Sequence, residues 1–199
     1  MQKVLILGAT GSVGAITRDY LLAHSDDQLT LFSRRANQLV TDDGRETVIQ
    51  GDVNQVAQLA TAMAGQTVVF AALSGQLALM AQHIIAAMHQ AKVKRLIFIS
   101  SMGIYNEIPA HLGAEGNLAS NSMLQTYRAA ADVIEASDLD YTIVRPGWFD
   151  NGRDDYEVTQ KGDPFGGQLV SRRAIADLVM HAADDQAYLK ESVGINRPE

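Results

Sequence analysis

The chain has 199 residues, of which 47% are hydrophobic and 20% charged, the composition of one globular domain able to bury a core. Its formal net charge of −7 opposes adhesion to nucleic acid or an anionic membrane, because phosphate binding rewards a basic surface, and the absence of cysteine excludes disulfides, thiolate catalysis and Cys-based metal sites. No stretch approaches the ~20 apolar residues of a membrane-spanning helix, and the apolar run after Lys3 stops at Gly8, too short for a signal peptide, so a soluble cytoplasmic protein is the expectation.

Lys3–Leu7 reads as a buried strand. Ser12–His24 follows as a helix, with Val13, Ile16, Tyr20 and Leu21 at roughly helical spacing. Gln28–Phe32 and Glu46–Gln50 read as the next strands, the latter ended by Gly51-Asp52. Asn54 is placed to cap a helix to about Met63. Thr67–Ala72 reads as a strand, Leu77–Gln90 as a helix and Arg95–Ile99 as a strand. The segment Ser100 to Ser120 has little periodicity. Ser122 and Gln125 have capping-box spacing and predict a helix to about Ser137. Tyr141–Val144 is a strand stopped by Pro146-Gly147. Residues 148–167 read as loop with a short strand near Tyr156–Thr159. Ser171 is placed to cap a last helix to about Ala183, and Ser192–Ile195 reads as a final strand. Nearly all-apolar strands alternating with helices predict a Rossmann-type doubly wound α/β fold, a parallel sheet with helices on both faces. One domain spans 1–199, with a small substrate-side portion from about 148.

Gly8, Gly11 and Gly14 lie at the first strand-to-helix turn, spaced G-x-x-G-x-x-G. A Cβ there would block a positive-φ turn or the approach of a diphosphate to the backbone. The helix N-terminus then aims free N–H groups, from Ser12 and Val13 onward, and a partial positive charge at that diphosphate. Thr10 and Ser12 add hydroxyl donors, and the last glycine lets the helix lie close on the strand. At the end of the second strand an Asp or Glu would hydrogen-bond the ribose of NAD. This chain has Ser33, Arg34 and Arg35, which suit a 2′-phosphate. NADP is therefore favoured and NAD remains possible; the alternative is two arginines that merely solvate a loop. Asp52 and Val53 follow the third strand, where a side chain can contact adenine.

The motifs "GATGSVG" (8–14), "SRR" (33–35), "GDV" (51–53), "FISSMG" (98–103) and "DYTIVRPG" (140–147) resemble the atypical short-chain dehydrogenase/reductases, specifically their NAD(P)H-binding, NmrA-like branch, across nearly the whole chain. "SRRAIADLV" (171–179) resembles that family's last helix. The resemblance implies a seven- or eight-stranded parallel sheet with the cofactor across its C-terminal edge. It implies that Ala71, Ala72 and Leu73, within Ala71–Gly75, line the ribose region. Ser100 and Ser101 would lie beside the nicotinamide, Pro146 and Gly147 would offer backbone to its carboxamide, and Trp148 and Phe149 would wall the substrate side.

Carbonyl-reducing members of the family use Ser, Tyr and a Lys four residues after the Tyr. Tyr127 is on the right helix, but Ala131 stands where the lysine would be. Counted back from "DYTIVRPG", Tyr127 falls at the lysine position and Met123 at the tyrosine position, so neither partner is present. Arg128 is one position off and points about 100° round the helix. Ser101, Tyr127 and Tyr105 are the catalytic candidates. His83, His89 and His111 read as packing or surface residues, the stripe Leu77, Leu79, Met80, Ile84 and Met88 as core, and no spacing supports a metal site.

Two functions fit. One is an NADP-dependent oxidoreductase passing hydride to a small acceptor (quinones, flavins and tetrapyrroles need no dedicated acid) in a pocket of Ser101, Tyr105, Tyr127 and Trp148. The other is a non-catalytic NAD(P)-binding sensor that engages a regulated protein partner. Epimerase or dehydratase action on a nucleotide sugar fits poorly, since it needs the Tyr–Lys pair. A homodimer through the helices near 77–90 and 118–137 is open.

Overall fold

The computed structural model describes residues 1–41, 44–185 and 187–198. Five helices and ten strands alternate along them. Strands β1 (Lys3–Leu7), β2 (Gln28–Ser33), β3 (Glu46–Gln50), β4 (Val68–Ala71), β5 (Arg95–Ile99), β6 (Asp140–Pro146), β8 (Glu157–Thr159) and β10 (Glu191–Asn196) form one sheet, in the order β3-β2-β1-β4-β5-β6-β10-β8. All pairs are parallel except β8, which runs antiparallel to β10 at the edge. The order in which successive strands are added reverses between β1 and β4, which run parallel, and this is the switch point of a doubly wound sheet.

Alternation within the strands divides the core. Leu5 and Leu7 of β1, with Leu96 and Phe98 of β5, pack under α2 (Val56–Met63), α3 (Leu77–Ala91) and α4 (Gln125–Glu135). Val4, Ile6, Ile97 and Ile99 face the other way, under α1 (Ser12–His24) and α5 (Arg172–Asp184). Both faces of the central strands are therefore apolar and dry, which is why they read as continuous hydrophobic runs.

Two expected caps differ. Asn54 does not cap α2: its N–H and side-chain amide both donate to Asp52 Oδ1 (2.9 and 3.0 Å) in a local Asx turn, and the N-cap is Gln55 without a side-chain bond. Ser122 does not open α4. A 3-10 turn, Ser122–Leu124, comes first, and Asn121 caps it by accepting from the Met123 N–H at 3.2 Å. Ser171 caps α5, accepting from Ala174 N–H at 2.9 Å.

The segment of low periodicity is ordered by side chains. Asn117, buried, accepts from the Ile108 N–H and donates to the Ile108 carbonyl, both at 2.9 Å, as a strand neighbour would. Glu107 accepts from the N–H groups of Gly103 (3.2 Å) and Tyr105 (2.8 Å) and forms an ion pair with Arg145 of β6. Beyond β6, Trp148–Asp150 (β7) pairs in parallel with Leu169–Ser171 (β9) as a separate two-stranded sheet. The two approach so closely that a Cβ on Gly147 would lie 2.4 Å from the Gln168 carbonyl oxygen.

Candidate dinucleotide site and the cleft beside it

The glycines do three different jobs. Gly8 turns the chain off β1 with φ +91°, and a Cβ on it would meet the Ala72 carbonyl oxygen at 2.2 Å. Gly14 lies against the same turn, where a Cβ would be 2.3 Å from Gly8 O, so it sets how closely α1 lies on β1. Gly11 is the N-cap of α1, and its N–H closes the turn onto Gly8 O at 2.8 Å. No side chain caps the helix and no acidic residue occupies its first turn. The first bond back along α1 runs from Ala15 N–H to Gly11 O, 2.8 Å, which leaves the N–H groups of Ser12, Val13 and Gly14 ahead of it. A bare positive helix end beside a cradle closed to side chains suits a diphosphate.

A cleft of about 940 Å³ opens from this cradle along the C-terminal edge of the sheet. One wall is Ser33, Arg34 and Arg35 together with Gly51 to Asn54; the other is Ala72 to Gly75 with Met80 of α3. The Thr10 hydroxyl donates to Ser33 Oγ at 3.1 Å, and the Arg35 N–H donates to the same oxygen at 3.3 Å, which fixes Ser33. Gln50 holds the Arg34 carbonyl at 3.0 Å. The guanidinium groups of Arg34 and Arg35 are exposed and pair with no described residue. In a chain of net charge −7, two unpartnered cations on one cleft wall suit an added phosphate. The Asp52 N–H donates to Gln58 Oε1 at 2.8 Å, so Asp52 is tied down on its backbone and on one carboxylate oxygen. Ala71, expected on the ribose wall, is instead fully buried at the end of β4, and the wall begins at Ala72. Of the expected Met and Leu stripe, Leu77, Ile84 and Met88 are core, Leu79 is exposed and Met80 reaches the cleft.

A second cleft of about 220 Å³ lies past the ends of β5 and β6. Ser100 is buried, and its Oγ has no partner although its N–H bonds Val144 O at 2.7 Å. The Ser101 hydroxyl donates to Met102 O at 3.1 Å. Pro146 and Gly147 line the cleft, but the Gly147 N–H is spent on Ile195 O (3.0 Å) and Pro146 O already accepts from Met102 N–H (3.1 Å). Their contribution to a ligand is therefore the remaining carbonyl lone pair and the shape of the wall. Tyr127, half-buried, lines this cleft, and its hydroxyl bonds no described residue. One turn on, Ala131 is wholly buried, and Met123 is 80% exposed outside the cleft. Trp148 and Phe149 form the rim. Ile108, Leu112 and Leu124, which the sequence reading missed, supply the apolar floor and come largely from the non-periodic loop.

Tyr105 lines neither cleft. Its phenol donates to Glu135 Oε1 at 2.7 Å, and Lys161 holds both oxygens of that carboxylate at 2.8 Å. Cationic Arg128, Arg145 and Lys161 lie 4.9, 5.2 and 4.5 Å from its ring centre. Burial pushes this phenol far above the ordinary tyrosine value, so it holds its proton within the packed interior. Arg128 is turned to Asp132 at 2.8 Å, away from the catalytic position. None of the three histidines singled out lines a cleft; His89 bonds Asp138 at 2.6 Å and His111 is exposed.

A glycine cradle at the switch point of a doubly wound sheet defines a Rossmann-type dinucleotide-binding protein. The family described as NAD(P)H-binding matches residues 8–186, and the chain belongs to it. A Rossmann-fold NAD(P)-binding family protein from Shigella flexneri is 37% identical over 100% of this chain and 94% of its own, with a TM-score of 0.85. A short-chain dehydrogenase/reductase from Veillonella parvula, solved in complex with NADP, is 30% identical over 100% and 96%, with a TM-score of 0.89. An anaerobillin reductase from Escherichia coli O157:H7 shares the fold at 22% identity over 99% and 98%, TM-score 0.83. No curated protein matches the chain significantly.

Proposed function

We propose that the protein is an NADP-dependent oxidoreductase of the atypical short-chain type, which transfers hydride to a small acceptor without the usual Tyr–Lys pair. The observation that carries this reading is the pair of unpartnered guanidinium groups, Arg34 and Arg35, on the wall of the cradle cleft, with a second cleft further along the same sheet edge. The Veillonella relative's complex with NADP supports the cofactor choice. A bound reduced nicotinamide supplies the hydride; the chain supplies the rest. The α1 N-terminus and Gly8 hold the diphosphate, Arg34 and Arg35 select the 2′-phosphate, and Asp52 and Val53 flank the adenine. Ser100 carries a buried hydroxyl without a partner, which suits a polar atom at the nicotinamide end. Tyr127 and Ser101 orient the acceptor oxygen, and water delivers the proton.

A second reading, a non-catalytic sensor of NmrA-like type that engages a protein partner, is favoured by one observation: neither register supplies the catalytic lysine, since one places buried Ala131 there and the other places Tyr127. One experiment separates the two. The purified protein is mixed with NADPH and a panel of quinones, flavins and small carbonyl compounds, and the nicotinamide absorbance is followed. Turnover supports the oxidoreductase. Tight binding with no turnover across the panel supports the sensor.

A further inference from the structure

The two clefts differ sharply in charge. Arg34, Arg35 and Asp52 line the first. No Lys, Arg, His, Asp or Glu lines the second. Its polar atoms are all neutral: the hydroxyls of Ser100, Ser101 and Tyr127, the Asn121 amide, the Trp148 indole N–H and backbone. Behind its rim, Arg172 lies 5.6 Å from the Phe149 ring; one of its nitrogens donates to Asp150 O and Asn151 Oδ1, each at 3.1 Å, its buried Nε has no partner among the described residues, and its side chain is not part of the lining. An anion entering this cleft would leave water for a lining that offers neutral donors but no charge to pair it, so its affinity should fall below that of a neutral analogue.

The mouth has the opposite preference. Eight large hydrophobic side chains are exposed among the described residues. Three of them gather here: Trp148 (70% exposed) and Phe149 are on the rim, and Leu169 pairs with Trp148 across β7 and β9. Exposed apolar groups clustered round a cavity mark a ligand site rather than chance exposure. The cavity itself, about 220 Å³, is smaller than the ~300 Å³ at which pockets for drug-sized ligands begin. Its volume matches one or two fused rings.

We propose that the second cleft binds a neutral, flat, one- or two-ring aromatic carbonyl compound and rejects analogues carrying a carboxylate, sulfonate or phosphate. The ring lies against Trp148, and its oxygen meets the Tyr127 hydroxyl and, once that group turns off the Met102 carbonyl, the Ser101 hydroxyl. The word "substrate" for this ligand rests on the oxidoreductase reading; the binding does not, and it is measured without cofactor.

Trp148 is the chain's single tryptophan, so its fluorescence reports occupancy of the rim. The full-length protein is titrated with menadione and with a naphthoquinone sulfonate of the same ring system, each checked by calorimetry. Saturable quenching by menadione, with a dissociation constant at least about tenfold below that of the sulfonate, is expected; a tenfold difference corresponds to ~1.4 kcal/mol. Phe149→Arg places a cation on the rim and keeps Trp148, and it should narrow or reverse the ratio. Should that variant fail to fold, the comparison in the unmodified protein decides alone. Equal affinity for the two probes, or no saturable response to menadione, overturns the proposal. Saturable menadione binding without NADPH consumption in its presence leaves the cleft assignment standing and removes menadione as the acceptor; the oxidoreductase reading falls only if the whole panel gives no turnover.

Discussion

Replacing Glu107 with glutamine cuts an ion pair that ties the irregular loop to the sheet. Arg145 is wholly buried, and Glu107 is nearly so. The guanidinium donates to Glu107, to the Ser192 hydroxyl and carbonyl, both at 3.2 Å, and to the Gln160 carbonyl at 3.2 Å. Only Glu107 neutralises it. Glu107→Gln keeps the shape and one acceptor but leaves a buried cation without its anion, a change that costs about 3–5 kcal/mol when one partner of a buried pair is removed. In a domain of this size each kcal/mol lowers Tm by roughly 2–4 °C, so Tm should fall by about 6–20 °C. Urea unfolding with an unchanged m-value measures the loss directly. The double variant Glu107→Gln/Arg145→Met removes both charges and should be destabilised by less than the two single losses added together. A Glu107→Gln loss below about 1 kcal/mol would refute the reasoning, because water or another group would then be compensating Arg145.

Gly8→Ala should abolish binding of both NADPH and NADH, since its Cβ would fall 2.2 Å from Ala72 O at a φ of +91°; calorimetric titration alongside far-UV circular dichroism separates lost binding from lost fold. Arg34→Glu should weaken NADPH at least about tenfold more than NADH, because the 2′-phosphate then faces a carboxylate; equal weakening of the two defeats the 2′-phosphate assignment. The Tyr20 phenol is pushed up to about 12, by burial first and then by its acceptor Asp177. The folded state therefore holds that proton more tightly than the unfolded chain, whose tyrosines titrate near 10. Its contribution is complete below about pH 10 and is lost as pH rises toward 12. Tyr20→Phe should flatten the fall in urea midpoint over that window, and an unchanged slope would count against the assignment.

The central strands were legible because each is a short apolar run ended by a turn residue. Lys3–Leu7 and Arg95–Ile99 form strands with the expected bounds, as do the edge strand Glu46–Gln50 and the first helix, Ser12–His24. The glycine turn was equally legible, since its conformational demand falls on the residues themselves. What stayed hidden depends on distant contacts. β7 and β9 are three residues each and exist only by pairing with one another across some twenty residues. The loop after β5 is shaped by Asn117 bonding Ile108 and by Glu107 meeting Arg145, contacts with no local periodicity. Tyr105 is a catalytic candidate by sequence, but Glu135, thirty residues on, accepts from its hydroxyl. The capping error at Ser122 is one of near neighbours: Asn121 and Ser122 are both good caps, and local spacing does not choose between them.

The account turns on a dinucleotide seated over Gly8 with its 2′-phosphate on Arg34 and Arg35. Calorimetric titration of the unmodified protein with NADPH and with NADH tests that seat directly. One site per chain is expected, with NADPH at least about tenfold the tighter ligand. Absence of binding by either nucleotide, or tighter binding of NADH, would contradict it.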